Sequence, residues 1–181
     1  MEQVILVDEH DQESGLMEKM EAHEKALLHR AFSVFIFNEK GEMLLQQRAL
    51  TKYHSGGLWT NACCSHPRPY EATITAATRR LKEEMGFVTE IHKVFDFTYQ
   101  VSFENGLTEY EFDHVFVGRY NGLINANENE VADFDYKSME EIRRELACEK
   151  DQYTAWFHIA FPKVYEWWKE THQLQAVSLT A

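Results

Sequence analysis

Apolar and polar positions recur along this chain with two different periods, and the changes of period mark its elements. Residues 4–7 are a short apolar run ahead of Asp8, Glu9, His10 and Asp11, which predicts a strand followed by a turn. The polar stretch 19–28, with His23 inside it, reads as a loop or short helix. His29–Phe37 (HRAFSVFIF) is apolar at both alternating sets of positions, so it predicts a strand inside a sheet, covered on both sides. Residues 38–42 predict a hairpin turn with Gly41 at the bend, and Met43–Arg48 the strand that pairs back. Residues 51–57 read as a loop.

A helical period then takes over. Between residues 71 and 85, Ile74, Ala77, Leu81 and Met85 recur at spacings of three and four, and Gly86 supplies the stop. Residues 91–103 and 107–118 read as two strands joined by a turn at Glu104, Asn105 and Gly106, with a further strand at 131–136. Ser138, with Glu141 three residues on, opens a helix as a capping box. Thr154 is the expected cap of a last helix rich in aromatic residues, including Trp156, Phe157, Trp167 and Trp168, which Pro162 should kink or interrupt. Residues 177–181 are expected to fray. Strands interleaved with few helices predict an α/β (α+β) chain, a mixed sheet with helices on its faces.

Size and charge narrow the function. A chain of 181 residues suits a single domain spanning 1–181. At 44% hydrophobic and 27% charged it has a globular composition. A net charge of −12 with no Lys/Arg run argues against a nucleic-acid partner, so an anionic ligand would need locally placed cations or a metal. No stretch of about 18 apolar residues predicts a membrane span, and the opening residues carry neither a cationic start nor a long apolar region. Three cysteines, two of them adjacent, make no disulfide framework, so a cytoplasmic setting is expected.

Four groups of residues carry candidate chemistry. His23, His29 and His66, with Glu109 and Glu111, suit a divalent ion such as zinc or manganese; the two glutamates are two apart on a strand, so they share one face. Taken singly, each histidine is more commonly a surface or hydrogen-bonded imidazole. Cys64, beside Cys63 and two residues before His66, is either a small buried residue or an acid, base or nucleophile. Lys19, Arg48, Lys52 and Arg80 are either solvated charges or a ring of cations for a diphosphate. Trp59, Tyr99, Trp156 and Phe161 are either core or the lining of a pocket, where an indole face would suit a cationic intermediate.

The segment RRLKEEMGF resembles the tail of the Nudix box, although Arg80 stands where the motif has a Glu and the upstream Gly is missing. With AHEKALLHRAFSVFIFN, MLLQQRA, WTNACCSHP, the Glu109-Tyr110-Glu111 triplet and TAWF, in that family's order from Ala22 to Phe157, the chain resembles the type I isopentenyl-diphosphate isomerases. Ala155 stands where a Pro is usual, and Gly56-Gly57 where a Pro-Gly pair is usual; both are loop features.

The resemblance implies a single-domain Nudix-like mixed β-sheet sandwiched between helices, an isomerase domain over 1–181 with its catalytic core at about 19–170. It also implies a 1,3-allylic proton shift that interconverts isopentenyl and dimethylallyl diphosphates in isoprenoid biosynthesis. Cys64 and Glu111 match the catalytic residues, with Tyr99 hydrogen-bonded nearby and Trp156 facing the cation. His23, His29, His66, Glu109 and Glu111 would hold a tightly bound inner ion (Mn2+, Zn2+ or Mg2+). Glu84, with the Cys64 backbone carbonyl, would hold an Mg2+ that arrives with the diphosphate. Lys19, Arg48, Lys52, Ser65 and Arg80 would contact the phosphates. No organic cofactor is expected, and the partner is a small diphosphate, with neither nucleic acid nor membrane; the chain would be a monomer or weak homodimer. The competing readings are a Nudix hydrolase of a diphosphate substrate, which would need more carboxylates on the helix, and a non-catalytic metal- or diphosphate-binding module.

Overall fold

A computed structural model of the chain describes residues 2–52 and 54–178, the last of these by backbone alone beyond residue 171. Its strands are β1 (Gln3–Val7), β2 (Glu13–Glu18), β3 (His29–Phe37), β4 (Met43–Arg48), β5 (Trp59–Asn61), β6 (Cys63–Ser65), β7 (Ile91–Ser102), β8 (Thr108–Arg119) and β9 (Val131–Lys137). Its helices are α1 (Lys19–Glu24), α2 (Thr73–Met85), α3 (Met139–Cys148) and α4 (Ala155–Ser178), with a 3-10 turn over Lys150–Gln152. The strands form one mixed sheet around β3, which runs parallel to β8 and antiparallel to β1 and β6. β7 is added antiparallel on β8, β2 on β1, and β5 and β9 on β4.

The doubly apolar β3 is covered as its pattern predicts. Phe32, Val34 and Ile36 pack with Leu81 and Met85 of α2 on one face. Phe35 and Phe37 pack with Ile142 of α3 and Phe157 and Phe161 of α4 on the other. The sheet is therefore sandwiched between helices. Gly86 ends α2 with φ +77°, and a Cβ there would stand 2.1 Å from the Asn125 carbonyl oxygen, so only glycine fits the stop.

Some expectations need correction. β4 meets β3 at one pair only, Phe37 opposite Met43, and then pairs with β5 and β9. The flanks of β3 are already taken by β8 on one side and by β6 and β1 on the other. β2, β5 and β6 are strands that no apolar period announced. Helix α2 starts at Thr73, not Glu71, because the Glu71 side chain is spent on Arg79 and on the Arg68 backbone N–H in the preceding turn. Its buried face is Ala76, Ala77, Leu81 and Met85, while Ile74 is 45% exposed.

Ser138 caps α3 as expected, accepting from the Glu141 N–H. Thr154 does precede α4, but its hydroxyl donates to Thr60 Oγ1. Pro162 sits inside α4 without interrupting it. Most of the segment expected to fray, residues 179–181, lies outside the described residues. No described helix is long and apolar enough to cross a membrane.

Candidate active site

Strand register assembles the site. β3 and β8 run parallel with His29 opposite Glu111, and β7 places Tyr99 opposite Glu111 on its other side. Glu109 shares the face of Glu111 two residues earlier. His23 enters from α1, and His66 follows β6. The ligating atoms of His23, His29, His66, Glu109 and Glu111 all lie within 4.8 Å of one another, and all five residues are buried.

The imidazoles are aimed by the backbone. His23 Nδ1 lies 2.6 Å from the Lys19 carbonyl oxygen and His29 Nδ1 2.8 Å from that of Leu27. Donating those N–H groups to carbonyls leaves each Nε2 lone pair facing inward. There His29 Nε2 stands 3.2 Å from His66 Nε2, which is itself 2.8 Å from Glu111 Oε1. His23 Nε2 is 3.0 Å from Glu109 Oε2. Imidazole lone pairs and carboxylate oxygens crowded on one point, away from water, are a donor set that fits a divalent cation.

A cavity of about 70 Å³ opens beside this cluster. Its inner wall is Cys64, His66, Tyr99, Glu109, Glu111 and Trp156, and its cationic rim is Lys19, Arg48, Lys52 and Arg80, with Ser65. The sequence candidates thus converge, and they leave a small chamber with cations at its mouth. Tyr99 Oη donates to Glu111 Oε2 at 2.5 Å. The Arg48 guanidinium lies 5.1 Å over the Trp156 ring, and Arg80 holds Glu84 through two N–H groups at 2.7 and 3.1 Å. Lys52 and Arg80 both pair with Glu130, and Lys19 with Glu2.

Burial and neighbouring charge set the protonation states. Burial, reinforced by the Asp113 carboxylate, pushes the Cys64 thiol up to about 12, so at neutral pH it is a thiol and not a thiolate. Burial and Glu111 likewise hold the Tyr99 hydroxyl well above its ordinary range. Burial opposes ionisation of Glu109, but the neighbouring His23 and His54 imidazoles outweigh it and keep the carboxyl well below the usual range. Asp113, two residues beyond Glu111, is pushed up by burial and by that neighbour.

Three candidates fall outside both the chamber and the His/Glu cluster. Glu84 is not among its lining residues: it is buried under Arg80, also accepting from Gln46 Nε2 at 2.9 Å and Cys63 Sγ at 3.3 Å. Phe161 belongs to the core beneath α4, and Trp59 packs against that core with Lys137 over its ring. Phe161 shares that core with Val115 and Val117 farther along β8, and Trp59 is partly buried against it.

One wall residue had no sequence signal as a lone histidine in a loop. His54 stacks on Phe103 at 5.0 Å, meets Trp156 edge-on at 5.6 Å and reaches Glu109 Oε1 at 2.8 Å. Asn61, buried inside the WTN run, accepts from Cys64 Sγ at 2.9 Å. Ser33 lies opposite Cys64 in the β3–β6 register, and its hydroxyl is 3.6 Å from the sulfur and 2.8 Å from Asp113 Oδ2.

Comparison with known proteins adds the following. Residues 27–157 match the model of the NUDIX domain. The chain is 47% identical over 167 residues to the isopentenyl-diphosphate Delta-isomerase of Pectobacterium atrosepticum, covering 92% of this chain and 93% of that protein. It is also 47% identical over 171 residues to the protein of the same name from Burkholderia multivorans, covering 92% and 97%. Among solved structures, the Deinococcus radiodurans protein DR0079 superposes with a TM-score of 0.76 at 16% identity, covering 91% of this chain and 99% of that one. The MutT protein of Methanosarcina mazei gives 0.62 at 21% identity, covering 75% and 91%. At those identities the structural likeness speaks for the fold alone.

Proposed function

The chain belongs to the Nudix family and, within it, to the isopentenyl-diphosphate Delta-isomerases, and from that premise we propose how its residues divide the work. The enzyme interconverts isopentenyl and dimethylallyl diphosphates in isoprenoid biosynthesis. The observation that carries our assignment of roles is one chamber in which Cys64, Glu111, Tyr99 and Trp156 face a shared space behind a rim of cations.

The chemical problem is to protonate an unactivated alkene and remove a proton from the other allylic carbon. One proton is gained by the substrate and one is lost, so the balance closes within the site. Cys64 and Glu111 are the two groups that exchange these protons; after a turnover one has gained a proton and the other has lost one, so both must reset. Tyr99 holds Glu111 by its hydroxyl and fixes the carboxylate's orientation. The Trp156 face stabilises the tertiary cation, and the narrow chamber limits the water that could trap it.

His23, His29, His66, Glu109 and Glu111 would hold the tightly bound divalent ion, of manganese, zinc or magnesium. When bound, it would fix the Glu111 carboxylate in place and set its proton affinity. Lys19, Arg48, Lys52, Ser65 and Arg80 receive the diphosphate, with Arg80 offering a planar fork. Glu84, with the Cys64 carbonyl, would take a second ion, magnesium, as the diphosphate draws Arg80 away. The protein works on a small molecule in the cytoplasm, as a monomer or weak homodimer, as one domain.

The assay is incubation with isopentenyl diphosphate and magnesium, followed by analysis for the allylic isomer and for released phosphate. Isomer without phosphate is expected. Released phosphate would make the protein a hydrolase, and neither product would make it a binding module.

A further inference from the structure

Cys64 and Trp156 stand on separate elements, yet a line of hydrogen bonds joins them behind the chamber wall. Trp156 Nε1 donates to Thr60 Oγ1 at 3.0 Å. Thr60 Oγ1 donates to Asn61 Oδ1 at 3.0 Å. Cys64 Sγ donates to the same Asn61 oxygen at 2.9 Å. Thr60 is 1% exposed and Asn61 fully buried, so water does not compete with these bonds.

The direction of each bond is forced by chemistry. An indole N–H only donates, so Thr60 Oγ1 must accept from Trp156. The Thr154 hydroxyl donates to the same oxygen at 3.1 Å, which leaves Thr60 its own proton to give to Asn61. Asn61 cannot be turned over: its Nδ2 lies 3.1 Å from the Val34 carbonyl oxygen and 2.9 Å from that of Cys63, and an oxygen there would face two acceptors. Its Oδ1 therefore points at Thr60 and Cys64, and the thiol proton points at Asn61. β5 carries both middle members, Thr60 and Asn61, and β6 carries Cys64, so the bridge is anchored in the sheet.

We propose that Thr60 and Asn61 are positioning residues for the isomerisation, a single directed bridge that sets the Trp156 indole plane and the Cys64 thiol relative to one another. This rests on the assignment of Trp156 and Cys64 as groups that meet the substrate. Thr60 touches neither substrate nor reacting atoms; it acts by holding the indole whose face meets the cation, and through Asn61 the sulfur that exchanges a proton. Small misplacements of such groups cost rate and leave substrate binding to the cationic rim.

The test uses the metal-loaded full chain with Thr60→Val, which keeps the shape and removes the hydroxyl, and Thr60→Ser, which restores it. Two quantities are read: kcat and KM, and the indole N–H resonance of Trp156 in protein labelled with 15N-tryptophan, assigned by its loss in Trp156→Phe. For Thr60→Val we expect kcat to fall about 10- to 100-fold, with KM within about twofold and the indole resonance shifted upfield. Thr60→Ser should recover both kcat and the resonance.

An unmoved indole resonance in Thr60→Val would show that the bond is not made. A moved resonance with the parental kcat would show that the bond positions nothing that matters. Equal loss of rate in the serine variant would reduce Thr60 to packing. Each of these overturns the proposal. Should the valine variant not fold, Thr60→Cys, a weak donor and acceptor of similar size, replaces it with the same expectations. If Trp156→Phe and Cys64→Ala both turn over like the parent, the role assignment has failed, and the indole resonance still reports the bridge separately.

Discussion

The two oxygens of the Glu109 carboxylate are divided between two histidines, Oε1 lying 2.8 Å from His54 Nε2 and Oε2 3.0 Å from His23 Nε2. His54 thus fixes the far side of a carboxylate whose near side belongs to the ligand cluster. Groups that orient a ligand in this way are worth about 10- to 100-fold in metal affinity. We predict that His54→Phe, which keeps the stack on Phe103, weakens retention of the inner ion by about that factor, and that His54→Gln weakens it less. Competition against a chelator measures it; a phenylalanine variant that holds its ion like the parent refutes it.

The adjacent cysteines face opposite sides of β6. Cys63 is fully buried in the core under α2, whereas Cys64 opens on the chamber. Cys64→Ala should abolish turnover. Cys63→Ala should cost about 1 kcal/mol of stability and leave most of the activity. Turnover of both folded variants decides this, and a dead Cys63 variant beside a live Cys64 variant would mean that the roles are reversed.

Glu84 is covered by Arg80 at 2.7 Å, so binding a second ion requires that pair to open. Glu84→Gln should flatten the dependence of initial rate on magnesium while leaving the inner ion in place. Arg80→Lys, which keeps the charge and loses the fork, should mainly raise KM. Magnesium titrations with metal content measured alongside test both. Superimposed curves for the parent and Glu84→Gln would make Glu84 only the anchor of Arg80.

Glu71 ties the turn before α2 to the helix, accepting from Arg79 Nε and Nη2, each at 2.8 Å. The Arg79 hydrogen bonds lower the Glu71 carboxyl below its ordinary range. A carboxyl depressed in the folded state stabilises above its unfolded pKa, and that stability is lost as pH falls through the folded value. Glu71→Gln should therefore cost about 1 kcal/mol at neutral pH, a modest figure because the pair is near the surface and screened. The deficit should shrink below about pH 4.5. Denaturant melts of both proteins across that range are the check, and a deficit constant down to pH 2 would contradict it.

Local pattern was enough for the elements whose sequence period coincides with their burial. β3 is apolar on both faces and is covered on both; α2 ends at Gly86; the turn at Glu104, Asn105 and Gly106 joins β7 and β8. The same pattern was silent on β5 and β6, because three-residue strands carry no measurable period. It also misjudged the partners of β4, since pairing is decided by which edges of β3 remain open.

The sequence by itself determined which residue types were available: the three histidines, the Glu-x-Glu pair, the two cysteines and the cations. Resemblance attached roles to them. Only the tertiary structure decided that the five candidate ligands converge, because His29 and Glu111 meet through the register of β8 on β3, not through any spacing along the chain. It alone brought in His54, which a loop delivers to Glu109 across the chamber, and it alone buried Glu84 beneath Arg80. Periodicity reports which face of an element avoids water. Convergence depends on how the sheet pairs and twists those faces together, and that is a property of contacts between residues far apart in sequence.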